Sequence, residues 1–431
     1  MSPYRPFDPR RVPFYYGWVI LAVGMVGMVA SFPGQTAGVS VFTDHLTGAT
    51  GLSRLQLANA YLLGTTTSGL LLPIGGRWID TYGTRATAFG ATLGLAATIA
   101  AMSFVGPMGS VTGMIVVSIG FGCMRFCGQG MLTLSSRTMV SQWFDRRRGL
   151  VSSVASAGVS FVFASTPLIL YQLIEWSDFR WAWRQLALGL VVILGSVVLV
   201  FFRSRPEDVG LRIDGQGRLD DGQVVAELAA DPGFTRAQAV RDPRFWVVTL
   251  PVTALAAVGT ALTFHIVDLG REIGIGESSI VRVFIPIAFI SVPVSLISGW
   301  LADTIPVVLL GVAAAAFQVV MYLTVFELAH PVLRIVAIGS WGAAQGLFSA
   351  LTSAALPRLF GRTHLGSIAG LQMSSMVIGS AIGPAFFAFV ESTAGSYRTA
   401  LLLALVLPGA SLLLAAVGWI RAGSAPSRAA R

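Results

Sequence analysis

GRWIDTYGTR, residues 76–85, packs two glycines, one acid and two arginines into ten positions between apolar runs. Gly76 and Gly83 permit a tight reversal, while Asp80 and Arg85 suit helix ends or opposite charges nearby. The runs near 55–75 and 86–105 each supply about 20 apolar residues, the length that crosses a bilayer. The stretch therefore reads as the turn of a helical hairpin that crosses a membrane twice.

The rest of the chain repeats this pattern. Of its 431 residues 54% are hydrophobic and 11% charged, with mean hydropathy +0.74, whereas soluble domains carry about 25% charged residues. Spans are predicted near 15–42, 55–75, 86–105, 110–140, 150–174, 184–202, 245–267, 279–301, 305–327, 331–357, 367–390 and 398–420. The expected architecture is an all-α membrane protein of twelve transmembrane helices. The first run is too long for a signal-peptide core and lacks a small-residue cleavage site, so it is expected to remain as a span.

With the N-terminus inside, cytoplasmic segments hold 20 of the 29 arginines and outer segments seven. The positive-inside bias places both termini in the cytoplasm. No lysine occurs and no basic cluster resembles a nucleic-acid face. Cys123 and Cys127, four apart on one apolar helix, suit packing rather than a disulfide or a metal site. No nucleophile, base and orienting acid fall in recognisable spacing, and there is no phosphate-binding glycine loop, so neither an enzyme nor a cofactor is expected.

The polar stretch from Arg203 to Arg244 reads as a cytoplasmic linker, with a short helix over TRAQAVRD. It divides the chain into residues 1–202, 203–244 and 245–431. The flanking parts echo each other: YYGWVIL at Tyr15 and FWVV at Phe245, GRWID at Gly76 and GWLAD at Gly299, WFDRRRG at Trp143 and LFGRTHLG at Leu359. Two pseudo-symmetric six-helix bundles follow, and such repeats bind substrate near the midplane between halves.

GRWIDTYGTR resembles the loop between spans two and three of the major facilitator superfamily, with Gly76, Asp80, Gly83 and Arg85 at matching positions. YYGWVI, WFDRRRG, RPEDVGL, FWVV, and FGRTHLGSIAG through AIGP and GSY resemble its bacterial branch near monocarboxylate transporters and oxalate:formate antiporters. The resemblance implies the major facilitator fold, a cytoplasmic gate at Gly76, Asp80, Gly83, Arg85 and Asp303, and a bacterial inner-membrane location. Relatives often place a carboxylate-binding arginine four residues before the glycine matching Gly299, but Ser295 stands there. A glycine pattern found in span five of proton-coupled drug antiporters appears instead in span eleven, as Gly370, Gly379, Gly383 and Pro384, which suits packing and bending.

Arg125 lies mid-span, where a charge costs about 2.5–3.5 kcal/mol. Every acid within the spans falls at an end, so an anionic substrate is its natural counter-ion, gripped by two parallel hydrogen bonds. The structural alternative is that Arg125 caps carbonyls of a broken helix or reaches an acid such as Asp268. At 100° per residue, Arg125, Gln129 and Ser136 share a face, opposite the cysteines. Matching Phe144 with Phe360 sets Gln129 against Gln345 and Arg125 against Trp341, a packing residue or a wall for the substrate's carbon chain. Gln35, one turn beyond Ser31, is a cavity contact or an interhelical hydrogen bond. His265 is a coupling candidate because its free pKa lies near 6.5, and its alternatives are structural or gating roles. Arg137 is expected to serve the loop at Asp145.

These residues predict a monomeric secondary transporter of a small organic anion, a monocarboxylate first, working by alternating access as a proton symporter or anion exchanger. Two rivals remain: a carrier of neutral or amphipathic molecules with Arg125 internally paired, and a non-transporting membrane sensor.

Overall fold

The computed structural model describes residues 6–216 and 233–423. The part of the linker at 217–232 lies outside them, as does Arg218. Among the described residues the chain is all-α, and every predicted span is met by a helix. Nine elements are long and apolar enough to cross a membrane unaided: Arg54–Met102, Ser110–Trp143, Phe179–Phe201, Pro243–Glu272, Glu277–Thr304, Val307–Glu327, Pro331–Ser353, Leu365–Ala394 and Tyr397–Gly418. The first of these is two spans joined at Gly83, whose φ of 79° and ψ of 162° break the helix. That left-handed φ suits glycine. The first span begins with Gly17–Ala30 and the fifth is Arg148–Trp176.

Span starts are fixed by local chemistry. Ser53 accepts from the Gln56 amide at 3.2 Å while Gln56 accepts from the Ser53 amide at 2.9 Å, a reciprocal cap on the second span. The predicted linker helix forms over Arg236–Arg241 with the same device at Thr235 and Gln238. Asp242 caps the seventh span and Pro243 takes its first turn, where a missing N–H costs nothing.

The chain separates into two compact units, residues 1–233 with 361–378, and residues 234–360 with 379–431. In the first, Trp143 and Trp183 are fully buried. In the second, one apolar core gathers Leu262, Ile266, Ile287, Tyr322, Trp341 and Phe387. Gly379 and Gly383 lie against the seventh span; a Cβ on Gly383 would stand 2.2 Å from the Ala257 carbonyl oxygen. The glycine pattern of the eleventh span therefore serves close packing, as expected.

Candidate functional site

The run at 15–42 is not one continuous helix. Gly17–Ala30 gives way to a tight turn at Phe32–Gly34, an extended Gln35, and a second helix Thr36–Ser40. Pro33 lacks the N–H that would continue the ladder and restricts the residue before it. A broken helix leaves carbonyls open, and Arg125 reaches them. Its Nη1 donates to the Gly34 carbonyl at 3.3 Å and to Thr36 Oγ1 at 3.2 Å. The Tyr61 hydroxyl donates to the same Thr36 oxygen at 2.9 Å, and its ring centroid lies 5.4 Å from the guanidinium carbon.

The remaining donors of Arg125 are uncommitted. The side chain is 1% exposed, Nε is buried without a partner, and Nη2 makes no hydrogen bond among the described residues. No acid pairs with Arg125 among those residues, and Asp268 instead pairs with Arg271 at 3.0 Å. The Nε–Nη2 edge is the one that takes a carboxylate side-on through two parallel bonds.

The fourth span widens into π-helical turns over Arg125–Leu132, a distortion often found at functional sites. It approaches the break closely: a Cβ on Gly34 would stand 2.3 Å from the Met124 carbonyl oxygen and 2.9 Å from Gly128 Cα. Gln35 donates to Ser31 Oγ at 3.0 Å and Thr133 Oγ1 at 3.5 Å, so it ties the break to the fourth span. Gln129 Oε1 is buried without a hydrogen-bond partner among the described residues, one turn beyond Arg125. Ser136 also faces the first span, its Oγ 2.4 Å from where a Cβ on Gly27 would lie. Cys123 is exposed and Cys127 packs at Gly94 of the third span.

The turn at 76–85 is anchored within the first unit. Asp80 accepts from the amides of Gly366 at 2.7 Å and Ser367 at 2.8 Å, in the first turn of Leu365–Ala394. A carboxylate there meets the positive helix end. Gly76 lies so close that a Cβ would stand 2.2 Å from the Gly366 carbonyl oxygen. Arg85 donates to the Leu199 carbonyl. Sequence reading missed a neighbouring latch: Arg362 pairs with Glu207 at 2.9 Å and exchanges hydrogen bonds with Gln142 at 2.9 and 3.0 Å. These partners lie far apart in the chain, so no local pattern announces them.

In the second unit, Asp303 pairs with Arg358 at 2.7 Å. Trp341 is 4% exposed and meets the Phe284 ring edge-on, with centroids 5.5 Å apart. Gln345 is exposed. Ser295, where relatives carry an arginine, shares a hydrogen bond with Ser349 at 2.9 Å. His265 bridges two elements, with Nε2 3.0 Å from the Pro384 carbonyl and Nδ1 3.4 Å from the Tyr397 hydroxyl. The carbonyl only accepts, so Nε2 carries the proton and donates, and Tyr397 donates to Nδ1.

Arg137 differs from its predicted role. Asp145 pairs with Arg148 at 3.2 Å, and Arg137, half-buried, makes no hydrogen bond or ion pair among the described residues.

Among the described residues, nine helices long and apolar enough to cross a membrane define a multi-pass membrane protein, and a buried cation in one of them marks a functional site. The sequence matches the Major Facilitator Superfamily model over residues 19–384, and the chain belongs to that superfamily. It is a membrane transporter, not an enzyme. It is 24% identical to Monocarboxylate transporter 10 of Danio rerio, covering 94% of this chain and 79% of that one. The Homo sapiens protein of the same name is 23% identical, covering 91% and 76%. In fold it resembles the proton:xylose symporter XylE bound to 6-bromo-6-deoxy-D-glucose, with TM-score 0.63 at 13% identity, covering 94% and 95%. It also resembles a bacterial homologue of the iron transporter ferroportin in its outward-facing state, with TM-score 0.62 at 16% identity, covering 94% and 99%.

Proposed function

We propose that this chain carries a small organic anion, a monocarboxylate, by alternating access, with Arg125 as the anion anchor. The observation that carries the reading is a buried arginine whose Nε–Nη2 edge has no hydrogen-bond partner, and no acid beside it, among the described residues. Nη1 fixes the guanidinium on the broken first span, which presents the other edge in a set orientation. Gln129 and Gln345 orient the substrate, Gln35 holds the break beside it, and Trp341 supports the wall. Asp80, Arg85 and Asp303, with Gly76 and Gly83 at the turn, serve the gate. The relatives named monocarboxylate transporter support this substrate class.

His265 is the candidate for proton coupling. A second proton would turn Nδ1 from acceptor to donor and force the Tyr397 hydroxyl to reorient. Anion exchange without a proton is the alternative mode. The arginine bias supports cytoplasmic placement of both termini; the bacterial inner membrane and the monomeric state are part of the same proposal.

One observation favours a second reading. Arg125 bonds the carbonyl of a helix break, which supports a structural strut in a carrier of neutral or amphipathic molecules. Purified protein in liposomes, offered radiolabelled mono- and dicarboxylates at several pH values, separates the two. Arg125→Gln is expected to weaken monocarboxylate affinity by about 100-fold, the upper range for losing a charged hydrogen-bonded pair. Unchanged affinity, with only a lowered melting temperature, would leave the strut as the whole role.

A further inference from the structure

We propose that Arg137 is a second station for the substrate's carboxylate, held on the same face of the fourth span as Arg125 by the π-helical turns between them, a role that rests on the reading of Arg125 as the anion anchor. In a regular α-helix the residues from Arg125 to Arg137 would leave the two side chains about 120° apart. The turns over Arg125–Leu132 are π-helical, and bonds from i to i+5 take one more residue to complete a turn. The neighbours record that extra residue. On the second span, Phe126 and Met131 both meet Gly75, although they lie five positions apart. On the first span, Gly128 packs on Ser31 and Gly34, and Thr133, again five further on, donates to Ser31 Oγ at 3.0 Å. Beyond it Ser136 meets Gly27 and Val140 meets Gly24, at ordinary α-helical steps. One added residue turns the later half back by about 100°, which brings Arg137 within about 20° of Arg125. It also keeps Arg137 on the side away from exposed Cys123.

The result is a polar ladder of Arg125, Gln129, Thr133 and Arg137 over about 18 Å of the span. Arg137 is half-buried and makes no hydrogen bond or ion pair among the described residues. The acids near that end of the unit are engaged elsewhere: Asp145 with Arg148, Glu207 with Arg362, and Asp80 with the Gly366 and Ser367 amides. Thr138, next in the chain, lines the cavity beside the Gly83 turn, so Arg137 lies at the depth of that turn and Arg125 about three turns deeper. A charge within a span that no acid of the protein neutralises is read first as a binding site. An anion leaving Arg125 toward the Gly83 turn passes the Gln129 amide, which can donate to it, and meets a second guanidinium. The carboxylate then changes partners in steps and does not lose its counter-charge at once.

The test uses the full-length protein with radiolabelled acetate, pyruvate, lactate and benzoate, reading equilibrium binding in detergent and initial uptake in liposomes. The unaltered chain is expected to bind one tight and one weak class of anion. Arg137→Gln should lose the weak class, keep the tight one and slow uptake about tenfold, the effect of one charged hydrogen bond on a barrier. Arg137→Lys should restore most of the uptake, because a passing station needs the charge more than the planar fork. Unchanged uptake in Arg137→Gln, while Arg125→Gln loses the tight class, would sink the second station alone. A tight class that survives Arg125→Gln, or no binding of any of the four acids, would sink the anchor and the station together. Loss of both classes in Arg137→Gln, with a lowered melting temperature and no rescue by lysine, would make Arg137 a structural strut. If Arg137→Gln does not fold, Arg137→Met, which keeps an apolar stem, takes its place, and a single class of bound anion in the unaltered chain refutes the station.

Discussion

Arg125 and Trp341 occupy matching places in the two six-span repeats, yet their surroundings are opposite. The arginine is buried with its Nε and Nη2 donors unbonded among the described residues, whereas the indole is locked in an apolar core against Phe284. The repeat thus supplies the scaffold twice and the charged chemistry once. This contrast predicts a separation of effects, and the largest concerns stability. Trp341→Ala should cost about 3–5 kcal/mol through lost packing, seen as a large drop in melting temperature, with a much smaller loss of substrate affinity than an Arg125 variant in whatever fraction stays folded. A loss of affinity matching that of an Arg125 variant would break the contrast.

Arg125→Lys sharpens the other side. Lysine keeps the charge but replaces a planar fork with a flexible point donor. If the substrate is held side-on by Nε and Nη2, affinity should fall by about tenfold, roughly 1.4 kcal/mol, in equilibrium binding of the anion. Full affinity in the lysine variant would mean that charge alone, not the fork, does the holding.

The two repeat-related acids differ in the same way. Asp303 holds an arginine side chain, and Asp80 holds the bare amides of a helix start. A double-mutant cycle on Asp303→Asn and Arg358→Gln should show coupling of about 1 kcal/mol, the upper range for a partly exposed pair. Asp80→Asn should cost somewhat less, about 0.3–1 kcal/mol, as the helix end loses its counter-charge. A null coupling at Asp303 would make the two turns alike in resting on backbone contacts.

The spans were legible because about 20 apolar residues in a row have one stable use. The turn at Gly76–Arg85 was legible because a left-handed φ and a close backbone contact both require glycine. The break in the first span was also written in the chain, as Pro33–Gly34 inside an apolar run, but length alone reads 15–42 as one helix. The π-helical turns at Arg125 leave no such mark in the residue pattern. Nor does the latch of Arg362, Glu207 and Gln142, which joins residues 155 or 220 positions apart. Arg137 was assigned to the loop at Asp145 by its depth toward the cytoplasmic end of its span, yet Arg148 sits a helical turn from that acid and takes it.

The smallest expected effect tests how the two repeats begin. The first span starts at Gly17 with no side-chain cap, while the seventh is capped by Asp242. Burial raises the Asp242 carboxyl, but hydrogen bonds from the Arg244 side chain and amide outweigh it and hold the group below its ordinary value. A carboxyl depressed in the folded state stabilises above its unfolded pKa, about 3.9, and loses that contribution as pH falls through the lower folded value. Asp242→Asn keeps a capping oxygen and removes only the charge. The variant should therefore melt slightly below the unaltered chain at pH 6, by a few tenths of a kcal/mol because Arg244 is 48% exposed and screened. That gap should narrow as pH falls below about 3.9, and a gap that persisted once the carboxyl is protonated would assign the seventh span's start to geometry alone.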